Sequence, residues 1–160
     1  SLSEIRASAN YVLDTSSMKT QELRNRIGKL ILNRDVSSEI ILNVMSFGYK
    51  NGIPLDADYM FDVRFLDNPY YKTELRSQTG LDDAVSDYVF SQPEAVETVD
   101  SISNLMKHWI PLHSLTGKTS LTITIGCTGG QHRSVAITER LSKILSRKFN
   151  AVSTIHRDIR

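Results

Sequence analysis

The spacing of apolar positions changes several times along the chain, and each change marks an element. "YVLDTS" (11–16) reads as a short strand, and "KTQELRNRIGKLIL" (19–32) then places Leu23, Ile27, Leu30 and Ile31 at helical spacing. "SEIILNVMSFGY" (38–49) is an apolar strand stopped by Gly48, Gly52 and Pro54, after which "YMFDVRFL" (59–66) resumes as a strand. The stretch "DNPYYKTELRSQTG" (67–80) reads as a loop and ends in Thr79, which together with Asp82 predicts a helix cap. Pro93 separates the helix that follows from a second one, in which Ala95, Val99, Ile102, Met106, Trp109 and Ile110 form one apolar face. "SLTITIGC" (120–127) predicts a buried strand. "SVAITERLSKILSRKF" (134–149) predicts a helix turned inward through Ile137, Leu141, Ile144 and Leu145, and "AVSTIH" (151–156) a last strand. Strands that alternate with helices predict an α/β fold: a layered, mostly parallel sheet with helices on both faces.

At 160 residues the chain is long enough to bury a core of its own, roughly 70 per cent of the surface its unfolded form exposes. Cys127 is the only cysteine, which excludes an internal disulfide or a multi-cysteine zinc site. With no signal peptide and no long apolar span, the expected location is the cytoplasm, with no membrane partner. The chain starts without Met and in mid-pattern, so a fragment is expected.

Charge changes the picture by its distribution rather than its sum. The net charge of +1 argues against a strongly basic nucleic-acid binder. Asp82, Asp83, Asp87, Glu94, Glu97 and Asp100 nevertheless share a stretch without Lys or Arg, whereas Arg133, Arg140, Lys143, Arg147, Lys148, Arg157 and Arg160 make the carboxy-terminal end basic. That basic end reads either as a solvated helix face or as an RNA contact surface through Arg140, Lys143, Arg147, Lys148, Arg157 and Arg160.

The chemistry concentrates in "ITIGCTGGQHRSVAI" (123–137), a strand end that runs through two glycines into a helix. Ligands of parallel α/β sheets gather at the carboxyl ends of strands. Gly129 and Gly130 let backbone amides turn toward an anion, the helix amino terminus adds positive potential, Thr128 offers a hydroxyl, and Arg133 can donate two hydrogen bonds to one phosphate. A few charge-assisted bonds of about 1.5 to 3 kcal/mol each give roughly millimolar to micromolar affinity, the range of a metabolite sensor. The plainer alternative is a glycine-containing turn whose Arg133 pairs with an acidic neighbour, and His132 is equally readable as a packed residue or a ligand contact. Cys127, five intervening residues, Arg133 and then Ser134 also match the signature loop of cysteine-dependent phosphatases, in which a thiolate attacks the phosphate that the loop holds. Gly126 stands where those enzymes carry histidine, and no general acid is assignable, so Cys127 reads equally as a wall of the pocket.

"GIPLDADYMFDVRFLDNPYY" (52–71) supplies a second constellation of Asp56, Asp58, Asp62, Arg64, Asn68 and Tyr70, polar groups able to read sugar hydroxyls or an amine. Asp62 is the first choice among them, and an ordinary Asp62 and Arg64 strand pair is the alternative. Lys50 in the preceding loop reaches either a phosphate or water.

In order along the chain, "SFGYKNGIPLDADYMFDVRFLDNPYY", "LRSQTGLD" and "IGCTGGQHRSV" resemble the carboxy-terminal half of the RapZ/YvcJ family, and the resemblance covers nearly the whole sequence. It implies that residues 1–18 are the end of an amino-terminal P-loop domain that binds ATP or GTP. Residues 19–160 would be a regulatory domain resembling a phosphofructokinase subdomain. The better-known members are RNase adapters that bind small regulatory RNA and sense an amino-sugar phosphate, and related members are linked to nucleotide sugars. Carried over, the phosphosugar pocket uses Asp62, Cys127, Thr128, Gly129, Gly130, His132 and Arg133, with Lys50 as a secondary member. Tyr70 departs from the histidine of enterobacterial adapters. The expected partners are a phosphorylated sugar or other small anion, small regulatory RNA, a ribonuclease or regulatory protein, and further copies of the chain in a homo-oligomer. No Walker A sequence occurs in these residues, so no cofactor and no nucleotide hydrolysis are expected of them.

Overall fold

The computed structural model describes residues 19–32 and 40–160. The strand expected over 11–16, the domain end expected over 1–18 and the inward positions Ile27, Leu30 and Ile31 lie outside the described residues or side chains. Helix α1 runs Thr20–Leu32, followed by strands β1 (Ile41–Gly48) and β2 (Tyr59–Asp62), helices α2 (Asp83–Phe90) and α3 (Pro93–Leu115), strand β3 (Ser120–Cys127), helix α4 (Arg133–Leu145) and strand β4 (Ala151–His156).

The four strands form one sheet in the order β2, β3, β1, β4, with every pairing parallel. The layered α/β architecture expected from the strand and helix alternation is therefore present. A parallel sheet packed by helices needs apolar strands, and β1 and β3 supply them: Leu42, Val44, Leu121, Ile123 and Ile125 are fully buried against Ile137, Leu141 and Leu145 of α4. Each such side chain contributes about 1.5 to 3 kcal/mol of burial. Helix α4 lies on β1, β3 and β4, and α3 packs in turn on α4 and α2. Cover is uneven. On the other face Phe47 and Thr124 are buried, but Ile41 and Ile155 stay accessible. No helix among the described residues is long and apolar enough to cross a membrane.

Three expectations need correction. Strand β2 stops at Asp62 instead of continuing to Leu66, because the carbonyls of Arg64 and Leu66 turn away from the sheet to accept hydrogen bonds from the Arg133 guanidinium. Thr79 does not cap a helix. Its amide donates to Asp82 Oδ2 at 2.8 Å and its hydroxyl accepts from the Leu81 amide, closing a turn, and α2 begins only after Asp82. Trp109 is not on the buried face of α3: it is 39% exposed beside the Tyr59 ring, while Ala95, Val99, Ile102, Met106 and Ile110 are buried.

Register decides where chemistry collects. Gly48 pairs with Cys127 and Asp62 with Gly126, so β1, β2 and β3 end side by side and their outgoing loops share one edge. The same edge receives the end of β4, where Ser46 Oγ lies 2.7 Å from His156 Nδ1 and Glu139 lies 2.6 Å from His156 Nε2, tying β1, β4 and α4 together.

Candidate functional site

Residues Thr128 to His132 join β3 to α4 at that edge, and close backbone approach fixes their course. Gly48 allows it: a Cβ there would stand 2.4 Å from the carbonyl carbon of Gly129 and 2.7 Å from the Gly130 nitrogen. Gly130 takes a left-handed φ of 75°, which only glycine adopts freely. Further hydrogen bonds pin the loop on both sides, from the Lys50 amide to the Thr128 carbonyl at 3.2 Å and from the Gly80 amide to the Gln131 carbonyl at 2.8 Å.

Inside this frame the sulfur of Cys127 lies 3.0 Å from Ser134 Oγ and accepts the Gly130 amide at 3.3 Å. The thiol is only 3% exposed, so it forms the inner wall of the turn and links the strand end to the helix start. Arg133 is 4% exposed. Its Nη1 donates to the carbonyls of Arg64 at 2.9 Å and Leu66 at 2.8 Å, and its Nη2 donates to Thr128 Oγ1 at 3.3 Å. One nitrogen of the fork is thus committed to holding the segment after β2, which the sequence did not reveal. Arg133 Nε and His132 Nε2 are buried with no protein partner, although buried polar atoms are normally satisfied. No side chain caps the amino terminus of α4. Those unpartnered nitrogens lie at the positive end of a 13-residue helix, which is where an oxyanion or an ordered water is accommodated best.

The exposed rim is cationic. The Lys50 ammonium lies 3.7 Å from the position a Gly129 Cβ would take. The Arg64 guanidinium sits 4.0 Å from the centre of the Tyr49 ring and pairs with Asp62 at 2.6 Å. Hydrogen bonds from Arg64 hold the Asp62 carboxyl below the usual carboxylate range, against a smaller upward push from burial. Asp62 is therefore charged at neutral pH and already engaged through both oxygens, yet its side chain remains 42% exposed.

Of the residues singled out in the sequence, Lys50, Asp62, Cys127, Thr128, Gly129, Gly130, His132 and Arg133 come together at this edge. Tyr70 lies in the 3-10 turn Pro69–Tyr71 beyond β2, under the Arg76 guanidinium at 4.7 Å, and makes no hydrogen bond or ring contact with the Cys127 to Arg133 loop among the described residues. The basic end divides in two. Helix α4 runs back from the loop for about 20 Å, so Arg147 and Lys148 lie at the far end of the sheet. Strand β4 then returns Arg157 and Arg160 to the loop. Arg140, Lys143, Arg147 and Lys148 are exposed, with Arg140 stacked on Phe90 at 3.8 Å.

Sequence reasoning missed Gln131 within the loop and Gly80 and Asp158, which touch it, and saw in Gly48 only a chain break. The one available signal was that two apolar runs end in glycine or cysteine, which places both ends together once the strands are parallel neighbours. No group of three or more His, Cys, Asp or Glu placed to hold a metal occurs among the described residues.

Residues 40–160 match the family described as the RapZ C-terminal domain. A nucleotide-binding protein of Staphylococcus epidermidis is 50% identical over 158 residues, an alignment covering 98% of this chain and 52% of that protein. One from Caldanaerobacter subterraneus subsp. tengcongensis is 47% identical over 158 residues, covering 99% of this chain and 56% of its own. One from Finegoldia magna is 46% identical over 157 residues, covering 98% and 55%. The chain thus spans about half the length of the curated relatives it matches.

Proposed function

Because the chain belongs to the family of RapZ C-terminal domains, we propose that it is the ligand-sensing part of a nucleotide-binding regulatory protein and holds a phosphorylated sugar, or a similar small anion, on the Cys127 to Arg133 loop. The observation that carries this reading is the pair of buried, unpartnered nitrogens, His132 Nε2 and Arg133 Nε, at the uncapped amino terminus of α4. Thr128, Gly129 and Lys50 supply the open side of the cradle, and Asp62 is placed to accept from a sugar hydroxyl or amine. Binding and release of the sugar would regulate an RNA or protein partner, and nucleotide chemistry would belong to the part of such proteins that this chain does not span. No catalytic step is assigned to these residues. A cysteine phosphatase needs its sulfur at the mouth of the loop beside a free guanidinium, whereas Cys127 is in the wall and Arg133 Nη1 is bonded to two carbonyls.

Calorimetric titration with amino-sugar phosphates and nucleotide sugars tests the site. Wild-type protein binds at least one of them in the micromolar to millimolar range, and Lys50→Ala, which removes an exposed charge without touching the core, weakens binding by about tenfold, or 1.4 kcal/mol. Equal heats for the two proteins would remove Lys50 from the site, and no heat from wild type would remove the site.

The exposed cations of α4 and of the turn after it, Arg140, Lys143, Arg147 and Lys148, support a polyanion-binding surface that runs to the other end of the sheet. On this reading RNA affinity falls steeply with salt, and Arg147→Ala with Lys148→Ala together lower the slope of log affinity against log salt by about 1 to 2. A salt-independent affinity, or an unchanged slope, would show that these side chains do not contact phosphates.

A further inference from the structure

The last residues of the chain meet the glycine loop from the outside. After β4, the Arg157 amide donates to the Ser46 carbonyl at 3.1 Å. Asp158 then turns inward: its Oδ2 accepts the Gly48 amide at 2.7 Å and the Arg157 guanidinium at 2.8 Å, and its carboxylate also accepts from the Asn51 side chain. Gln131, in the loop itself, grips this segment with both ends of its amide. Nε2 donates to the Asp158 carbonyl at 2.5 Å and Oε1 accepts the Arg160 amide at 3.2 Å. A Cβ on Gly130 would stand 2.6 Å from the Gly48 nitrogen and 3.0 Å from Asp158 Cβ, so the strand end, the loop and the terminal segment are in direct contact.

The donors used here, the Gly48 amide, Asn51 and Arg157, border the cradle and converge on a carboxylate. Burial pushes the Asp158 carboxyl up, but hydrogen bonds from Arg157, Gly48 and Asn51 outweigh it and keep the group below the usual carboxylate range. The loop therefore already has a negative charge of its own beside it, held by a segment that leads directly to the basic Arg160.

We propose that residues 157–160 form a strap whose Asp158 carboxylate acts as an internal anion, competing with an anion on the Cys127 to Arg133 loop, so that ligand binding loosens the strap and a docked strap weakens ligand binding. This rests on the reading of the loop as an anion site. Two like charges flanking one glycine loop repel, and the docked segment also holds that loop through Gln131 and packs Asp158 against Gly130. The coupling is reciprocal by linkage: whatever factor the strap takes from the anion, the anion takes from the strap. Occupancy of the sugar site would in this way be reported to whatever contacts the carboxy-terminal segment.

Inorganic phosphate is the probe, read on the whole chain at constant ionic strength by calorimetry and by hydrogen exchange. In wild type, phosphate raises amide exchange over 157–160. Asp158→Asn keeps an acceptor for the Gly48 amide but removes the charge, and it binds phosphate about threefold to tenfold more tightly. Gln131→Ala frees the segment without changing charge, so exchange over 157–160 is already high and phosphate adds little. If wild type binds phosphate but Asp158→Asn binds it equally and exchange does not respond, the strap is refuted and the anion site stands. If neither protein binds phosphate, the anion site fails and takes the strap with it. Binding by Asp158→Asn alone would support both in their strongest form.

Discussion

Gly48→Ala abolishes anion binding at the loop and lowers stability by about 3 kcal/mol or more, because the new methyl meets backbone atoms that cannot step aside. The methyl would lie 2.4 Å from the Gly129 carbonyl carbon and 2.7 Å from both the Gly129 oxygen and the Gly130 nitrogen. Gly48 has an extended backbone, φ −108° and ψ 127°, so conformational strain is not the cause; the cost comes from overlap with the loop alone. For a chain of this size the loss corresponds to a fall in Tm of roughly 6 to 12 °C. Gly129→Ala is the matched control. Its methyl meets only the end of the Lys50 side chain, at 3.7 Å, and its φ is not left-handed, so Tm stays near wild type while the cradle changes shape. Thermal melts paired with calorimetry separate the two variants. A Gly48→Ala protein that melts and binds as wild type would mean that strand end and loop do not touch as described.

Arg133→Met is expected to cost about 2 to 5 kcal/mol, an effect on the fold rather than on a ligand alone. Methionine fills similar space but strands the carbonyls of Arg64 and Leu66, which now accept from Nη1 at 2.9 and 2.8 Å. Each buried acceptor left unmet costs about 1 to 3 kcal/mol. Arg133→Lys recovers only part of the loss, since one ammonium cannot copy the planar fork. Arg64→Ala leaves stability near wild type, because the guanidinium it removes is solvent-exposed and pairs with an Asp62 side chain that is also largely open. Denaturant titration of the three variants gives the order. If Arg133→Met unfolds at the wild-type midpoint, the guanidinium does not brace the segment after β2. Arg133→Ala is consequently a poor test of binding, and Lys50→Ala a clean one.

Much of the fold was legible because apolar runs of strand length carry their own signature. β1, β3 and β4 fall where Ile, Val, Leu and Thr cluster between glycines and polar turns. The loop at Cys127 was legible for a related reason: glycines, a hydroxyl and an arginine within a few residues at the junction of strand and helix have few uses other than holding an anion or closing a turn. The misreadings share a cause as well. "YMFDVRFL" has strand composition throughout, but past Val63 the carbonyls of Arg64 and Leu66 answer to a guanidinium that lies almost seventy positions away in the chain. Trp109 has the helical spacing of a core residue, yet which flank of α3 is covered depends on where α4 lies.

By itself the sequence determined the alternation of strand and helix, the parallel α/β class that follows from it, the family, and the short loop in which the chemistry is concentrated. Periodicity and turn chemistry act over a few residues, and a linear reading captures them. Only the tertiary structure decided that Arg133 serves the backbone after β2, that Tyr70 lies under Arg76, that the basic end splits between opposite ends of the sheet, and that Asp158 closes on Gly48. Those are contacts between segments far apart in sequence. They depend on strand order and register, and no local propensity encodes either one.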